Sequence, residues 1–470
     1  MRGVHSVAEV RAAEDVLLGR LPDGALMARA ATGLAVECAR LLGSVYGARV
    51  ALLVGAGNNG GDALYAGAAL ARRGASVTAL LLDADRAHAG GLAALRRAGG
   101  RGEPADEAPV RVADLVVDGI VGIGGRGGLR GPAIELAAAA HDRLTVAVDV
   151  PSGVDADTGA VAGAAVRADV TVTFGALKPG LVVGVGRARA GEVRLVDIGL
   201  GPYLPAATAR VLEAVDVAGL LPVPGPFDDK YTRGVVGVVA GSAAYPGAGV
   251  LATGSAVAGG AGMVRYAGAV PELVRARYPE VVIGSGRVQV WVVGPGIGTD
   301  DDARARLTEV LASDVPVLVD ADAITLVAAS PGLLRDRRAP TVLTPHDREF
   351  ARLVGGPSSD RLASARAAAS ALGATVLLKG DATVVAAPDG AAWINPTGTP
   401  WLGTAGSGDV LSGLIGTLLA GGLDPPLAAA AGAYVHGVAG QLAAADGPPS
   451  SVDVLDAVRR ALRLIATGRA

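Results

Sequence analysis

Short apolar runs alternate along this chain with longer alanine-rich segments. Near-continuous runs of Val, Leu and Ile are what strands buried on both faces of a parallel sheet look like in sequence. In the first half they predict strands over 50–54, 77–82, 115–118, 145–149, 170–174 and 193–197, with helical stretches between several of them, such as 62–73. Residues 221–227 then hold three prolines in seven positions and read as a linker or entry loop. Alternation resumes with strands over 235–240, 290–293, 317–320, 341–344, 376–379 and 383–386. Repeated βαβ units of this kind predict an α/β protein with mostly parallel sheets. The break places a domain boundary near residue 215, to within about ten residues on the precision of such boundaries, giving domains 1–214 and 215–470. No short-period repeat is visible.

Composition narrows the classes. The chain has 470 residues and a net charge of -3, with a pI near 6.0. That length suits two or three domains, and the charge points to neither nucleic acid nor an anionic membrane surface. Cys38 is the sole cysteine, so no disulfide framework exists, and the reducing cytoplasm is the expected compartment. The first ten residues lack the apolar core of a signal peptide. Mean hydropathy is high, +0.43, and two uncharged runs stand out at 245–264 and 410–423. The first is glycine-rich and broken by Pro246, and the second is too short to span a bilayer. Both read as buried helices. With aromatics at 3%, the core must be built from Val, Leu, Ala and Ile.

Lysine and asparagine are rare in this arginine-biased chain, and every one sits in a motif-like stretch. The lysines are Lys178, Lys230 and Lys379; the asparagines are Asn58, Asn59 and Asn395. Arginine cannot replace lysine where a compact ammonium or a shiftable pKa is needed, so these six positions are first candidates for chemistry.

In the first half, the predicted strand 50–54 runs into Gly-Ala-Gly-Asn-Asn-Gly-Gly-Asp over 55–62 and then a helix. A strand, a glycine-rich turn and a helix N-terminus make an anion site. Asp118 closes the next strand and precedes a glycine run with one arginine: Gly122, Ile123, Gly124, Gly125, Arg126, Gly127 and Gly128. Asp149 and Ser152 end another strand, and Lys178 ends a further one in Phe-Gly-Ala-Leu-Lys-Pro-Gly. Four strand ends thus bring Asn59, Asp118, Asp149 and Lys178 to one sheet edge, where open α/β sheets bind ligands. A carboxylate with a lysine can move a proton, and oxygens from Asn59, Asp118 and Ser152 suit a hard cation. An ordinary ion pair between Asp149 and Lys178 is the competing structural explanation.

These motifs resemble the N-terminal epimerase domain of the NAD(P)H-hydrate repair enzymes over roughly residues 5–210. The resemblance implies a Rossmann-like domain and potassium held by Asn59, Asp118 and Ser152. It implies that Asn58, Asn59, Gly60, Gly61, Asp62, the Gly122–Gly128 run and Asp149 hold the hydrated nicotinamide nucleotide. It also makes Asp149 and Lys178 the acid/base candidates for inversion at the hydrated C6. Ala56 and Ala63 stand where the family has Pro and Gly; both are small, so the loop geometry is expected to survive.

The second half ends its motif series with Gly406-Ser-Gly-Asp409 before a long apolar helix. Free N–H groups there suit a phosphate, and the carboxylate suits a base for an attacking hydroxyl, although Ser and Asp also serve as plain helix caps. Lys379-Gly-Asp-Ala-Thr383 forms a strand-turn-strand, His346 and Glu349 follow a strand, Gly294-Pro-Gly-Ile-Gly298 is a flexible loop, Asp320 and Asp322 stand at a strand end, and Tyr245-Pro-Gly-Ala248 precedes a helix. For His346 a helix cap, and for Asp322 an N-cap, compete with a ligand role.

Together this set resembles the ribokinase superfamily, and within it the ADP- or ATP-dependent NAD(P)H-hydrate dehydratases, over roughly 225–465. The resemblance implies two three-layer αβα domains in all, the second ribokinase-like. Lys379, Gly380, Asp381, Ala382, Thr383 and Gly408 would contact the adenine nucleotide, while Ala248, Gly298, His346 and Asp409 would contact the hydrate. Asp409 would be the catalytic base, with Mg²⁺ accompanying ADP or ATP. The implied substrates are the hydrates of NADH and NADPH, and self-association is expected. Two alternatives stay open: a ribokinase-type small-molecule kinase with a fused ligand-binding domain, and a non-catalytic nucleotide-binding module in the first half.

Overall fold

Alternate residues of the strand Arg49–Val54 enter two different cores. Val50, Leu52 and Val54 pack into one cluster with the helices Val7–Leu18, Ala25–Leu42 and Asn58–Arg72. Ala51 and Leu53 pack into another with Ala133, Leu136 and Ala139. Side chains alternate across a strand, so apolar residues at successive positions require cover on both faces. That is why the apolar runs carry no in-out polarity.

The computed structural model describes residues 1–335, 337–356 and 360–469. It divides into two units, Gly3–Ala207 and Thr208–Ala470, Met1–Arg2 being counted with the latter. Strands are numbered along the chain from β1 (Arg2–Val4). The first unit's sheet uses β2 (Arg49–Val54), β3 (Ser76–Leu81), β4 (Arg101–Pro104), β5 (Leu115–Gly119), β6 (Thr145–Val148), β7 (Val170–Phe174) and β8 (Glu192–Val196). Their spatial order is β4-β3-β2-β5-β6-β7-β8, and every pairing is parallel. The order reverses between β2 and β5, a topological switch point whose carboxyl side is where such sheets bind ligands.

The second unit adds β9 (Ala209–Val211), β10 (Val235–Val239), β11 (Met263–Tyr266), β12 (Val282–Ile283), β13 (Val290–Val293), β14 (Val317–Val319), β15 (Thr341–Leu343), β16 (Thr375–Leu378), β17 (Thr383–Ala386) and β18 (Ala392–Asn395). The sheet order is β1-β9-β18-β17-β16-β15-β14-β13-β10-β11-β12. From β9 to β12 the pairing is parallel except at β16–β17 and β17–β18.

The units divide at 207/208, a few residues before the position near 215 read from the sequence, because β9 pairs in parallel with β18, Ala209 to Ala392 through Val211 to Ile394. Two expectations need correction. The proline-rich stretch 221–227 therefore lies inside the second unit and links no domains. Finally, the helix expected from Asp62 begins at Asn58, so Gly60, Gly61 and Asp62 belong to its first turns and not to the turn before it.

The two uncharged runs are the buried helices Pro246–Ala258 and Ser407–Ala420. A Cβ at Gly413 would lie 2.1 Å from the Ala252 carbonyl oxygen, so this glycine lets the two helices meet backbone to backbone. Among the described residues no helix is long and apolar enough to cross a membrane.

Candidate active sites

In the first unit the loop after β2 and the loop after β5 pass within contact of each other. A Cβ at Gly55 would stand 1.9 Å from the Ile120 carbonyl oxygen, and one at Gly60 would stand 2.4 Å from the Gly55 oxygen. Only glycine permits that approach. It brings the start of the helix Asn58–Arg72 over the carboxyl end of β5. Asn59 Oδ1 would lie 2.8 Å from a Cβ at Gly122, and Asn59 Nδ2 is buried with no hydrogen-bond partner. Ala63, fully buried, fills the space against Gly119, where a Cβ would come within 2.6 Å of its methyl.

Asp118 is fully buried at the end of β5. Its Oδ2 accepts from Ser152 N at 2.8 Å, and its Oδ1 accepts from Ser152 Oγ at 2.6 Å and Ile120 N at 3.2 Å. Burial pushes the carboxyl up to about 6, against the lowering effect of these bonds. Ser152 Oγ also accepts from Val121 N at 3.0 Å. Asn59, Asp118 and Ser152 are thus gathered around the segment 118–122, as an all-oxygen donor set with one carboxylate.

Asp149 follows β6 with a φ of 66°, in the left-handed region. Backbone strain of this kind costs on the order of 1–3 kcal/mol and persists where the surroundings enforce it. Here Lys178 does so: its Nζ donates to Asp149 Oδ1 at 2.6 Å, to Thr173 Oγ1 at 3.0 Å and to Phe174 O at 2.9 Å. All three ammonium donors are used, and the lysine is 1% exposed. Thr173 Oγ1 also donates to Asp149 Oδ1, leaving Asp149 Oδ2 for a ligand.

A cavity of about 1100 Å³ opens beside this pair. Of the expected residues, Asn58, Asn59, Asp62, Gly122, Ile123, Gly124 and Asp149 line it. Gly60 and Gly61 make close backbone approaches instead, and Gly128 packs on the Ala162–Gly163 backbone. Gly125 and Gly127 form the turn of the glycine run, and Arg126 is exposed. Sequence reasoning missed Arg11, Glu14, Tyr65 and His88, which share the cavity. Arg11 and Glu14 lie three apart on the helix Val7–Leu18, and so on one face of it. Burial, then the Asp149 charge, raises the Glu14 carboxyl. Burial, then Asp149 and Glu14, pushes Asp62 up to about 8.

In the second unit the carboxyl ends of β14, β15 and β16 converge on Asp320, which is 1% exposed. Its Oδ1 accepts from Lys379 Nζ and Thr344 Oγ1, each at 2.8 Å, and its Oδ2 accepts from Ser412 Oγ at 2.7 Å. Sequence reasoning saw Asp320 at a strand end but not this hub. Lys379 leads the turn between β16 and β17, where Arg361 donates to its carbonyl at 2.6 Å. A Cβ at Gly408 would lie 3.3 Å from Lys379 Nζ. The lysine therefore faces the first turn of the helix Ser407–Ala420, whose N-cap is Gly406 with a φ of 87°. Burial works to lower the Lys379 pKa, but Asp320, Glu349 and Asp409 together raise it.

Asp409 stands in that first turn. Burial, then the Asp320 charge, pushes its carboxyl up to about 7, with Lys379 opposing. Asp322 Oδ2 accepts from Gly298 N at 2.9 Å, fixing the glycine loop after β13. Ala248 sits against that loop, 2.9 Å from where a Gly296 Cβ would be. His346 caps the helix Asp347–Val354, its Nδ1 accepting from Arg348 N and Glu349 N. Gly380, Asp381 and Ala382 complete the β16–β17 turn, and Thr383 Oγ1 donates to Gly380 O at 3.3 Å.

Comparison with known proteins agrees with this division. A family model described as NAD(P)H-hydrate dehydratase matches residues 236–460, and one described as YjeF-related protein N-terminus matches residues 23–180. The chain is 53% identical to a bifunctional NAD(P)H-hydrate repair enzyme of Mycobacterium tuberculosis over 442 residues, covering 92% of each chain. It is 53% identical to that of Mycobacterium leprae over 464 residues, covering 96% of each. Among solved structures it resembles the ADP/ATP-dependent NAD(P)H-hydrate dehydratase of Bacillus subtilis, co-crystallized with ATP and Mg²⁺. The TM-score is 0.50 and the identity 28%, over 54% of this chain and 97% of that one.

Proposed function

The chain belongs to the bifunctional NAD(P)H-hydrate repair enzymes, and from that premise we propose how its two units divide the work. The first unit interconverts the R and S hydrates of NADH and NADPH. The second dehydrates the S form back to the coenzyme at the expense of ADP or ATP. The observation that carries this reading is a matched pair of carboxylate–lysine sites in one chain, Asp149 with Lys178 and Asp320 with Lys379, each beside a glycine-rich loop and a helix start.

In the first unit Asp149 exchanges a proton with the hydrate, and Lys178 fixes it in its strained conformation. Asn58, Asn59 and Gly122–Gly124 bind the nucleotide along the cavity. The residues fit a potassium ion: Asn59, Asp118 and Ser152 each carry an oxygen able to ligate it, and Asn59 Oδ1 lies beside Gly122 at the carboxyl end of β5. A cation held by these oxygens would supply positive charge beside the glycine loop. It would also offset the charge of the buried Asp118 carboxylate, whose oxygens already accept from Ser152 and Ile120.

In the second unit Gly408 and the N–H groups of the helix start receive the phosphates, and Lys379 neutralises them. Magnesium carried on those phosphates would offset their charge. Asp409 removes the proton from the hydrate hydroxyl as the phosphoryl group arrives. Phosphate then departs from C6 in place of hydroxide as the ring nitrogen lone pair forms C=N, and loss of a C5 proton to water returns that pair to nitrogen and restores the ring double bond. Gly298, held by Asp322, Ala248 and His346 contact the hydrate. Cytoplasmic location and self-association belong to the same proposal; light scattering on the full chain reads the second.

The test is recovery of reduced-nicotinamide absorbance from mixed R and S hydrates with Mg²⁺ and ADP or ATP. Full recovery supports both activities. Recovery that stalls at the S fraction leaves the first unit without its proposed activity. Accumulation of a phosphorylated product without recovery favours a kinase.

A further inference from the structure

We propose that Asp62 is the second proton-transferring residue of the first unit, acting as acid on the hydrate hydroxyl while Asp149 acts as base from the opposite face of the ring. The proposal rests on reading this unit as the epimerase. In the route proposed, the hydroxyl leaves the hydrated C6 from one face with help from the ring nitrogen, and water enters from the other. One residue on one face cannot serve both events, and Lys178 has all three donors committed to Asp149, Thr173 and Phe174.

Asp62 is placed for the missing role. It lies in the first turns of the helix Asn58–Arg72, is 9% exposed, and lines the cavity that Asp149 also lines. Its Oδ1 is buried and has no hydrogen-bond partner. Asp118, by contrast, has both oxygens satisfied. A buried, unsatisfied carboxyl oxygen costs stability, which is expected where a ligand completes the bond. The charged and titratable groups sharing the cavity are Glu14 and Arg11 from the helix Val7–Leu18, Asp23 from the turn after it, Asp149, and Tyr65, Arg72 and His88. The carboxylates dominate: burial, then Asp149 and Glu14, raise the Asp62 carboxyl to about 8, so it carries its proton at neutral pH and can donate it.

The step balances without any oxidant or reductant. The Asp62 proton moves to the C6 hydroxyl, the C6–O bond breaks with its electrons leaving on water, and the ring nitrogen lone pair forms a C=N bond. Water then adds from the other face, its oxygen pair forming the new C6–O bond while the C=N pair returns to nitrogen. Its proton goes to Asp149. Asp62 is left as carboxylate and Asp149 as acid, the state from which the reverse inversion begins.

The test measures interconversion of isolated R hydrate in the full chain for wild type, Asp62→Asn and Asp62→Glu, with S-hydrate dehydration by the second unit as an internal control. Asp62→Asn is expected to lower the epimerisation kcat about 100-fold or more with KM changed less than about threefold, as loss of a general acid does. Wild-type rate should fall as pH rises through about 8, and that limb should vanish in Asp62→Asn. Asp62→Glu should retain part of the rate together with an alkaline limb. An Asp62→Asn protein with normal kcat, a loss confined to KM, or an unchanged alkaline limb overturns the proposal. A wild type that dehydrates S hydrate but does not interconvert R and S overturns the epimerase reading itself.

Discussion

Lys379 and Asp320 form a 2.8 Å ion pair in which the aspartate is buried and also accepts from Thr344 and Ser412. Four elements therefore depend on one carboxylate. Removing one partner of a buried pair leaves the other uncompensated, at about 3–5 kcal/mol. Asp320→Ala should lower the denaturant stability of the second unit by about that amount and weaken adenine-nucleotide binding. Asp320→Asn, which keeps the shape and much of the hydrogen bonding, should lose less than half as much stability. Equal losses in the two variants would show that charge, not shape, is what matters.

Gly408 is the point where the helix start comes closest to that lysine. A methyl there would lie 3.3 Å from Lys379 Nζ and 3.8 Å from Asp320 Oδ2, tight but tolerable for the fold. It would stand where the nucleotide phosphate is proposed to bind. Gly408→Ala should leave the thermal midpoint nearly unaltered and raise the nucleotide KM by about tenfold or more, equivalent to about 1.4 kcal/mol. Isothermal titration with ADP and ATP checks it, and unchanged affinity would move the phosphate elsewhere.

Asp409 makes two pH predictions. As the proposed base it must be ionised, so dehydration should rise with pH through about 7. The same shift acts on stability with a defined sign. The folded carboxyl binds its proton more tightly than the unfolded one, so the folded state holds the extra proton between the unfolded value and about 7. Stability contributed by this group is full below the unfolded pKa and is lost as pH rises through about 7. Asp409→Asn should therefore be more stable than wild type at pH 8, by on the order of a few kcal/mol, and the difference should close in acid. Denaturant unfolding at the two pH values decides it.

Ser152 links the Asp118 carboxylate to the Val121 amide. Ser152→Ala removes the hydroxyl but keeps the backbone bond, and should cost about 1–3 kcal/mol because a buried acceptor is left short. If potassium binds here, KCl should raise the wild-type thermal midpoint more than LiCl does. The variant should lose that difference. A midpoint insensitive to the choice of cation in the wild type would remove potassium from the site.

Much of this was legible in sequence because it is local. The apolar runs marked most strands of both sheets, since a doubly buried strand leaves no other option for its residues. The scarcity of lysine and asparagine pointed to Lys178, Lys379 and Asn59, and strand-end positions pointed to Asp118, Asp149 and Asp320. His346 shows the limit: its cap geometry, with Nδ1 accepting two backbone N–H groups, was one of two open readings until the helix Asp347–Val354 was seen.

What the sequence determined was composition-driven and periodic: two α/β units, apolar cores built mostly from Val, Leu, Ala and Ile with a few aromatics such as Phe174 and Tyr266, and the chemistry present at strand ends. Tertiary structure decided what depends on residues distant in the chain. β9 and β18 are short and lie far apart in sequence, so only their pairing reveals that the second unit begins before the proline-rich stretch. Arg11 and Glu14 carry no motif, and packing of the helix Val7–Leu18 alone turns them into the cavity. The helix start at Asn58 follows from the contact of Gly55 and Gly60 with their neighbours, a steric fact between two loops. Protonation is likewise non-local: the shifts of Asp62 and Asp409 arise from burial and from carboxylates brought close by the fold. Desolvation and Coulomb repulsion depend on distance in space, which sequence spacing does not encode.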